Sequence, residues 1–242
     1  MNRFCVGVIG FGSFGSFVSS LVPEGTTIKA FDKNRVRYPR SVTKSSFEEV
    51  AKCNVIFLCV PISEYKNVLL KLAKIIQSDQ LLVDVCSVKL LPEQIINSYL
   101  PKHSNILFSH PLFGPQSFKS GVDQKNRLII TSYRGKLAKN AIKYAQDKLD
   151  LDVTHMSADE HDKLMADVHV LTFFIARGLS NMKLKEHKHS TPSYKMIMDL
   201  IGIDRAHSRE LFLTIQKANP YASLVNKKIV KAFSDLEKEI RK

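Results

Sequence analysis

The chain has 242 residues, with 36 Lys+Arg against 23 Asp+Glu and a formal net charge of +13. At 44% hydrophobic and 24% charged residues the composition excludes wholesale disorder, and no apolar run approaches the roughly 18 uncharged residues of a membrane span. The positive charge is spread over both halves without a polybasic tail or an aromatic-basic ladder. It reads as a solvated surface suited to a small anionic substrate, with no nucleic-acid and no membrane partner expected.

Residues 3–9 are a short β-branched apolar run and predict a buried strand. Met1, Asn2 and Arg3 lead directly into it, so no leader peptide is expected. Gly10, Gly12 and Gly15 follow and run into a helix over 16–21, and a second strand over 26–31 ends at Asp32. The glycine spacing alone is weak, but its place between strand and helix gives each residue a mechanical reason. Gly10 permits the tight turn, Gly12 lets backbone approach a pyrophosphate, and Gly15 lets the helix pack closely on the strand. Ser13 and Phe14 begin the helix whose N–H groups face the anion. Asp32 is suited to accept both hydroxyls of an adenosine ribose and to repel a 2′-phosphate, which favours NAD over NADP. Lys33, Arg35 and Arg37 come next; they read equally as a solvated basic loop or as partners for that phosphate.

The alternation continues with a helix over 47–52, a strand over 54–60, a helix over 64–76 and a strand over 80–85. A helix over 92–100 and a strand over 105–109 complete this stretch. Beyond Pro111 come a strand over 127–132, a helix over 135–149 and a short strand over 152–156. Strands alternating with helices predict an α/β, Rossmann-type, doubly wound parallel sheet. From Ala158 the apolar period becomes helical, with Leu164, Met165, Val168, Leu171, Thr172, Ile175 and Leu179 on one stripe. Three further helices are punctuated by Thr191-Pro192, Ala206-His207-Ser208 and Asn219-Pro220. The expected division is a dinucleotide-binding domain over 1–157 and a smaller all-helical dimerisation and substrate domain over 158–242. A helical part of that size buries a broad stripe best against a second copy, which predicts a homodimer.

In an open α/β sheet, ligands lie beyond the carboxyl ends of the strands. Those ends carry Gly10–Gly15, then Cys59, Val60 and Pro61, then Ser87, and then His110. Cys59, Val60 and Pro61 therefore join the cofactor-binding set. A neutral imidazole at His110 suits removal of a proton from a substrate hydroxyl, and Ser87 suits donation to that hydroxyl. Taken alone, a histidine before proline is as well explained by a loop hydrogen bond. His161, His169, His187 and His189 come without a third ligand, so no metal is expected. Cys5, Cys53, Cys59 and Cys86 lie in apolar stretches without metal-ligand spacing, and read as reduced thiols of a cytoplasmic protein.

The segments Gly7-Val8-Ile9-Gly10-Phe11-Gly12-Ser13-Phe14-Gly15, Asp84-Val85-Cys86-Ser87-Val88-Lys89 and His110-Pro111-Leu112-Phe113-Gly114-Pro115-Gln116-Ser117 together resemble the prephenate/arogenate dehydrogenase family, in the short, plant-like arogenate type. Glu160-His161-Asp162-Lys163-Leu164-Met165-Ala166 resembles it as well. The resemblance implies oxidative decarboxylation of a cyclohexadienol in tyrosine biosynthesis, with NAD or NADP as oxidant and dimerisation through the helical half. It implies His110 as the base on the ring hydroxyl, Ser87 as the residue orienting that hydroxyl, and Gln116 at the substrate. Two departures stand out: Phe173 falls where many members carry a second histidine, and Arg205 is displaced from the position of a substrate-binding arginine. A hydroxyacid-type dehydrogenase using Lys163, and a catalytically silent NAD(P)-binding regulator, are the competing readings.

Overall fold

A computed structural model describes residues 4–119 and 126–242. The chain divides into two compact units, Met1–Ala158 and Asp159–Lys242. In the first, β1 (Cys5–Ile9), α1 (Ser13–Ser20), β2 (Thr27–Phe31) and a two-residue β3 (Thr43–Lys44) are followed by α2 (Phe47–Val50), β4 (Val55–Leu58), α3 (Tyr65–Leu72) and β5 (Leu81–Asp84). Then come α4 (Leu90–Tyr99), β6 (Ile106–Pro111), α5 (Pro115–Lys119), β7 (Arg127–Arg134), α6 (Gly135–Asp147) and β8 (Asp152–His155). Arg3, the first residue of the predicted opening strand, lies outside the described residues.

All eight strands form one sheet in the order β3-β2-β1-β4-β5-β6-β7-β8. The chain leaves β1 toward β2 on one side and resumes with β4 on the other, which makes the carboxyl edge of β1 and β4 a switch point. The sheet departs from the predicted all-parallel arrangement at one step, since β7 runs antiparallel to β6 and β8 then runs parallel to β7. A parallel return needs a crossover, usually a full helix, whereas among the described residues α5 between β6 and β7 spans 5 residues.

Both faces of the sheet are covered, as its central strands require. Phe47 and Val50 of α2, Tyr65, Leu69 and Leu72 of α3, and Ile96 of α4 bury Ile56, Leu58, Leu82, Ile106 and Phe108 in one cluster. Ala138, Ile142 and Ala145 of α6 bury Leu81, Val83, Leu107 and Ile130 in another. Local chemistry agrees with these boundaries. Ser46 and Glu49 form a reciprocal cap at the start of α2, each side chain taking the other's backbone N–H.

The cysteine expectation needs correction, because Cys5 and Cys53 are joined in a disulfide with Cα atoms 4.9 Å apart. Their separation of 48 positions hides the pairing in the sequence. The fold closes that gap by laying Asn54 beside Cys5: Cys5 N–H donates to Asn54 Oδ1 at 2.9 Å, and Asn54 N–H to the Cys5 carbonyl at 3.0 Å. Cys59 and Cys86 are free thiols.

The second unit is helical: α7 (Ala158–Met165), a π-helical turn (Ala166–Val170), α8 (Leu171–Asn181), α9 (Pro192–Ala206), α10 (Arg209–Ala218) and α11 (Ala222–Ile240). The Thr191 and Ser208 hydroxyls cap α9 and α10 by accepting from Tyr194 and Leu211 N–H. Its core gathers Ala166, Val170, Phe173, Ile215, Ala222 and Val225. On the predicted stripe Met165 is buried, while Leu164 and Val168 are 44% and 45% exposed in the single chain. The π turn that follows α7 buries Ala166 and Val170.

Candidate active site

The glycine loop leaves β1 at Gly10, whose φ of +92° lies in the left-handed region. A Cβ there would stand 2.6 Å from the Cys59 carbonyl oxygen, so both conformation and crowding require glycine. At Gly15 a Cβ would overlap the Gly10 carbonyl and meet Val8, which is the close approach of α1 to β1. Gly12 is different, because nothing lies within 4 Å of a Cβ placed there. The protein itself gives no reason for glycine at that exposed position, whereas an anion drawn against the backbone does. No side chain caps the first turn of α1, leaving its N–H groups for such an anion.

Asp32 follows β2 and turns back to this loop. Its Oδ2 accepts the Phe11 N–H at 2.7 Å and its Oδ1 accepts the Asn34 N–H at 2.8 Å. Each oxygen is thereby fixed in direction and retains a lone pair for a ribose hydroxyl. Of the basic residues after it, Lys33 is engaged elsewhere, in a 2.7 Å ion pair with Glu64. Tyr38 stacks on Phe11 with ring centroids 4.9 Å apart. Burial, and then the Asp32 charge, raise its phenol above the ordinary value.

Because β1, β4, β5 and β6 are mutually parallel, their carboxyl ends share one edge. Cys59, Val60 and Pro61 leave β4 there, Ser87 lies three residues beyond β5, and His110 is the penultimate residue of β6. Cys59, Val60 and Ser87 are half-buried, whereas His110 is buried at 3% exposure. Gln116 is exposed on α5, behind a turn in which the Gly114 N–H donates to Ser117 Oγ at 2.9 Å. Phe17 of α1 packs edge-on to Phe113 and Phe118, tying that segment to the dinucleotide-loop helix. Two surface clefts, of about 710 Å³ along α10 and α11 and about 460 Å³ beside α6, contain none of these residues.

Beneath the rim lies a polar group to which the sequence reading assigned no role. Asp84 and Lys89 form an ion pair with both side chains fully buried. Asp84 Oδ1 also accepts the Tyr65 hydroxyl at 2.6 Å and the Cys86 N–H at 3.2 Å. Lys89 Nζ donates to the Ser109 carbonyl at 2.6 Å, and Ser109 Oγ donates to the Asp84 carbonyl at 2.9 Å. A buried charge of this kind persists only when paired and hydrogen-bonded, and here the bonds tie the ends of β5 and β6 to each other and to Tyr65 at the start of α3. The signal in the sequence was a carboxylate closing an apolar strand, with a lysine five residues later among apolar neighbours. Burial and the Asp84 charge hold the Tyr65 phenol well above its ordinary range, and push the Cys86 thiol up to about 12 and the Cys59 thiol higher still. Both thiols are therefore neutral near pH 7 and poor nucleophiles.

In the helical unit, Phe173 is buried and stands edge-on to His169 and His207, with centroids 6.0 and 5.2 Å away. Arg205 is exposed, while its neighbour Asp204 holds Arg177 in a 2.5 Å ion pair. Lys163 pairs with Asp159 at 2.7 Å on the surface, an ordinary i,i+4 contact that gives no support to a catalytic lysine there. Among the described residues, no group of three or more His, Cys, Asp or Glu side chains is arranged to hold a metal ion, and no helix is long and apolar enough to cross a membrane.

Similarity to known proteins agrees with this geometry. Residues 27–147 match the family described as prephenate dehydrogenase, nucleotide-binding domain. Arogenate dehydrogenases 1 and 2 of Arabidopsis thaliana, both chloroplastic, are each 27% identical over 97% of this chain, which covers 39% of the first and 69% of the second. The chain thus spans well under half the length of one of these relatives. The crystal structure of prephenate dehydrogenase from A. aeolicus in complex with hydroxyphenyl propionate and NAD+ superposes with a TM-score of 0.71 at 20% identity, over 100% of this chain and 90% of that one. The fold is thus that of a Rossmann-type dehydrogenase with a helical C-terminal part. With half of its length matched to the nucleotide-binding domain, the chain belongs to the prephenate dehydrogenase family.

Proposed function

We propose that this chain is an NAD(P)-dependent oxidoreductase of tyrosine biosynthesis that oxidatively decarboxylates prephenate or arogenate. The observation that carries the reading is the single sheet edge bearing the glycine loop, Ser87 and His110, with Gly12 kept clear of every protein neighbour.

The residues divide the work by position. Gly10 and Gly15 shape the loop, Gly12 lets the pyrophosphate approach, and the N–H groups at Ser13 and Phe14 stabilise its charge. Asp32, oriented by Phe11 and Asn34, accepts the ribose hydroxyls, and its charge opposes a 2′-phosphate, so NAD is preferred over NADP. Cys59, Val60 and Pro61 line the nicotinamide end. A bound nicotinamide dinucleotide supplies the two-electron acceptor. His110 Nε2 or Nδ1 takes the proton of the ring hydroxyl as that carbon becomes a carbonyl, and Ser87 donates to the same oxygen and fixes its direction. Loss of the ring carboxylate as carbon dioxide from that ketone leaves a phenolate, which regains the proton from His110 as an aromatic phenol, and the aromatisation makes the reaction irreversible. Burial of His110 keeps bulk water away from its imidazole. Gln116 is placed to contact the substrate's side chain.

The same reading includes a homodimer built by the helical unit. On α11, Val230, Phe233, Leu236 and Ile240 are 58%, 61%, 49% and 76% exposed, an apolar row without cover in the single chain. The assay is direct: folded protein is mixed with NAD or NADP and then with prephenate or arogenate, and reduced cofactor is followed by absorbance. Reduction with at least one acid, faster with NAD, is expected. No reduction with any of the four pairings overturns the proposal.

A further inference from the structure

The strand that carries His110 does not run straight. Phe108 pairs with Ser132 but Ser109 pairs with Ile130, so β7 contributes one extra residue, Thr131, just where β6 leads into His110. A bulge of this kind bends the ladder and re-aims the side chains beside it. The start of α4 holds both strands of the bulge. On the β6 side, Lys89 Nζ binds the Ser109 carbonyl at 2.6 Å. On the β7 side, the Thr131 hydroxyl donates to Glu93 Oε1. Lys89 is the N-cap of α4 and its carbonyl accepts the Glu93 N–H at 3.0 Å, which sets the two residues one turn apart. Lys89 is in turn fixed by its buried pair with Asp84, which also receives the Cys86 N–H immediately before Ser87.

We infer that Lys89 and Glu93, braced by Asp84, are positioning residues that clamp the β6–β7 bulge and so set the His110 imidazole against the Ser87 hydroxyl; the inference rests on the dehydrogenase reading above. None of the three touches a reacting atom. Their effect is on geometry, to which a proton transfer is acutely sensitive: a displacement of about 1 Å is worth about 10²-fold in rate. The two ends of the clamp explain why a lysine and a carboxylate are buried under a site whose chemistry uses neither.

Two variants test this without relying on one that leaves a lone buried charge. Thr131→Val keeps the shape of the side chain and removes its hydroxyl, with Thr131→Ser as the conservative rescue. Lys89→Met combined with Asp84→Asn removes the ion pair as a neutral unit. Purified variants are compared with the wild type for kcat, for cofactor dissociation constant, and for the His110 ring resonance by NMR, assigned by its loss in His110→Asn. The clamp predicts kcat lower by about 10-fold or more in both variants at a nearly unchanged cofactor constant. It also predicts recovery in Thr131→Ser and a His110 resonance that broadens or splits. Folded variants that keep wild-type kcat overturn it, as does a loss of kcat matched by an equal loss of cofactor binding. If the wild type reduces no cofactor with either acid, the dehydrogenase reading falls. The His110 resonance then decides the clamp alone, a spectrum unchanged in both variants overturning it.

Discussion

Gly12 and Gly15 lie three residues apart and are glycine for opposite reasons. At Gly15 a methyl group collides with the Gly10 carbonyl, so Gly15→Ala forces α1 off β1. It is expected to destabilise the first unit by about 1–3 kcal/mol, read as a lower denaturant midpoint. At Gly12 a methyl group meets nothing in the protein, so Gly12→Ala is expected to fold with unchanged stability and to bind NAD about tenfold or more weakly by calorimetry. Equal effects of the two changes on stability would remove the case for a bound pyrophosphate. Tyr65 offers a third residue-scale check. Tyr65→Phe withdraws one donor from the buried Asp84 carboxylate and is expected to cost about 1–3 kcal/mol, measured by the same unfolding experiment.

Among the elements, the π turn between α7 and α8 ties stability to pH. It carries His169, whose imidazole burial pushes down to about 4, with His161 and His207 adding repulsion. The folded value lies below the unfolded value of about 6.5, so the stability it reflects is complete above that pH and is lost as pH falls toward 4. Denaturant midpoints taken from pH 7 to pH 4.5 should therefore drop, and His169→Gln should flatten part of that slope. An identical slope in the variant would show that His169 takes up its proton alike in the folded and unfolded states, contradicting the depressed value. Most strands and helices were legible because each is punctuated locally: glycines after β1, Ser46 before α2, Thr191-Pro192 before α9. The π turn was not legible, because its extra residue is a tertiary choice that leaves the composition of 164–176 helical throughout. The reversed β7 was missed for a related reason, since its antiparallel pairing with β6 is a tertiary choice that no local residue marks.

For the molecule as a whole, the candidate site was legible as a set of residues brought to one sheet edge. Gly10, Asp32, Ser87 and His110 follow from the rule that ligands gather at the carboxyl edge. Asp84, Lys89, Tyr65 and Glu93 were not assigned roles, because their partners come from strands and helices up to 38 residues away and no local pattern links them. The Cys5–Cys53 disulfide was missed in the same way. The apolar row on α11 belongs to this scale too. Sedimentation is expected to give about twice the 27.4 kDa chain mass, and Phe233→Glu to shift it toward the single-chain value. A wild-type protein sedimenting as a single chain would contradict that assignment. The sharpest test joins the rim to its chemistry. Initial rates of cofactor reduction are measured for the wild type and for His110→Asn, with the dissociation constant for NAD determined in parallel. The account predicts a fall of about 10²–10⁴-fold in turnover at an unchanged NAD constant. Turnover retained within about threefold in His110→Asn would contradict it.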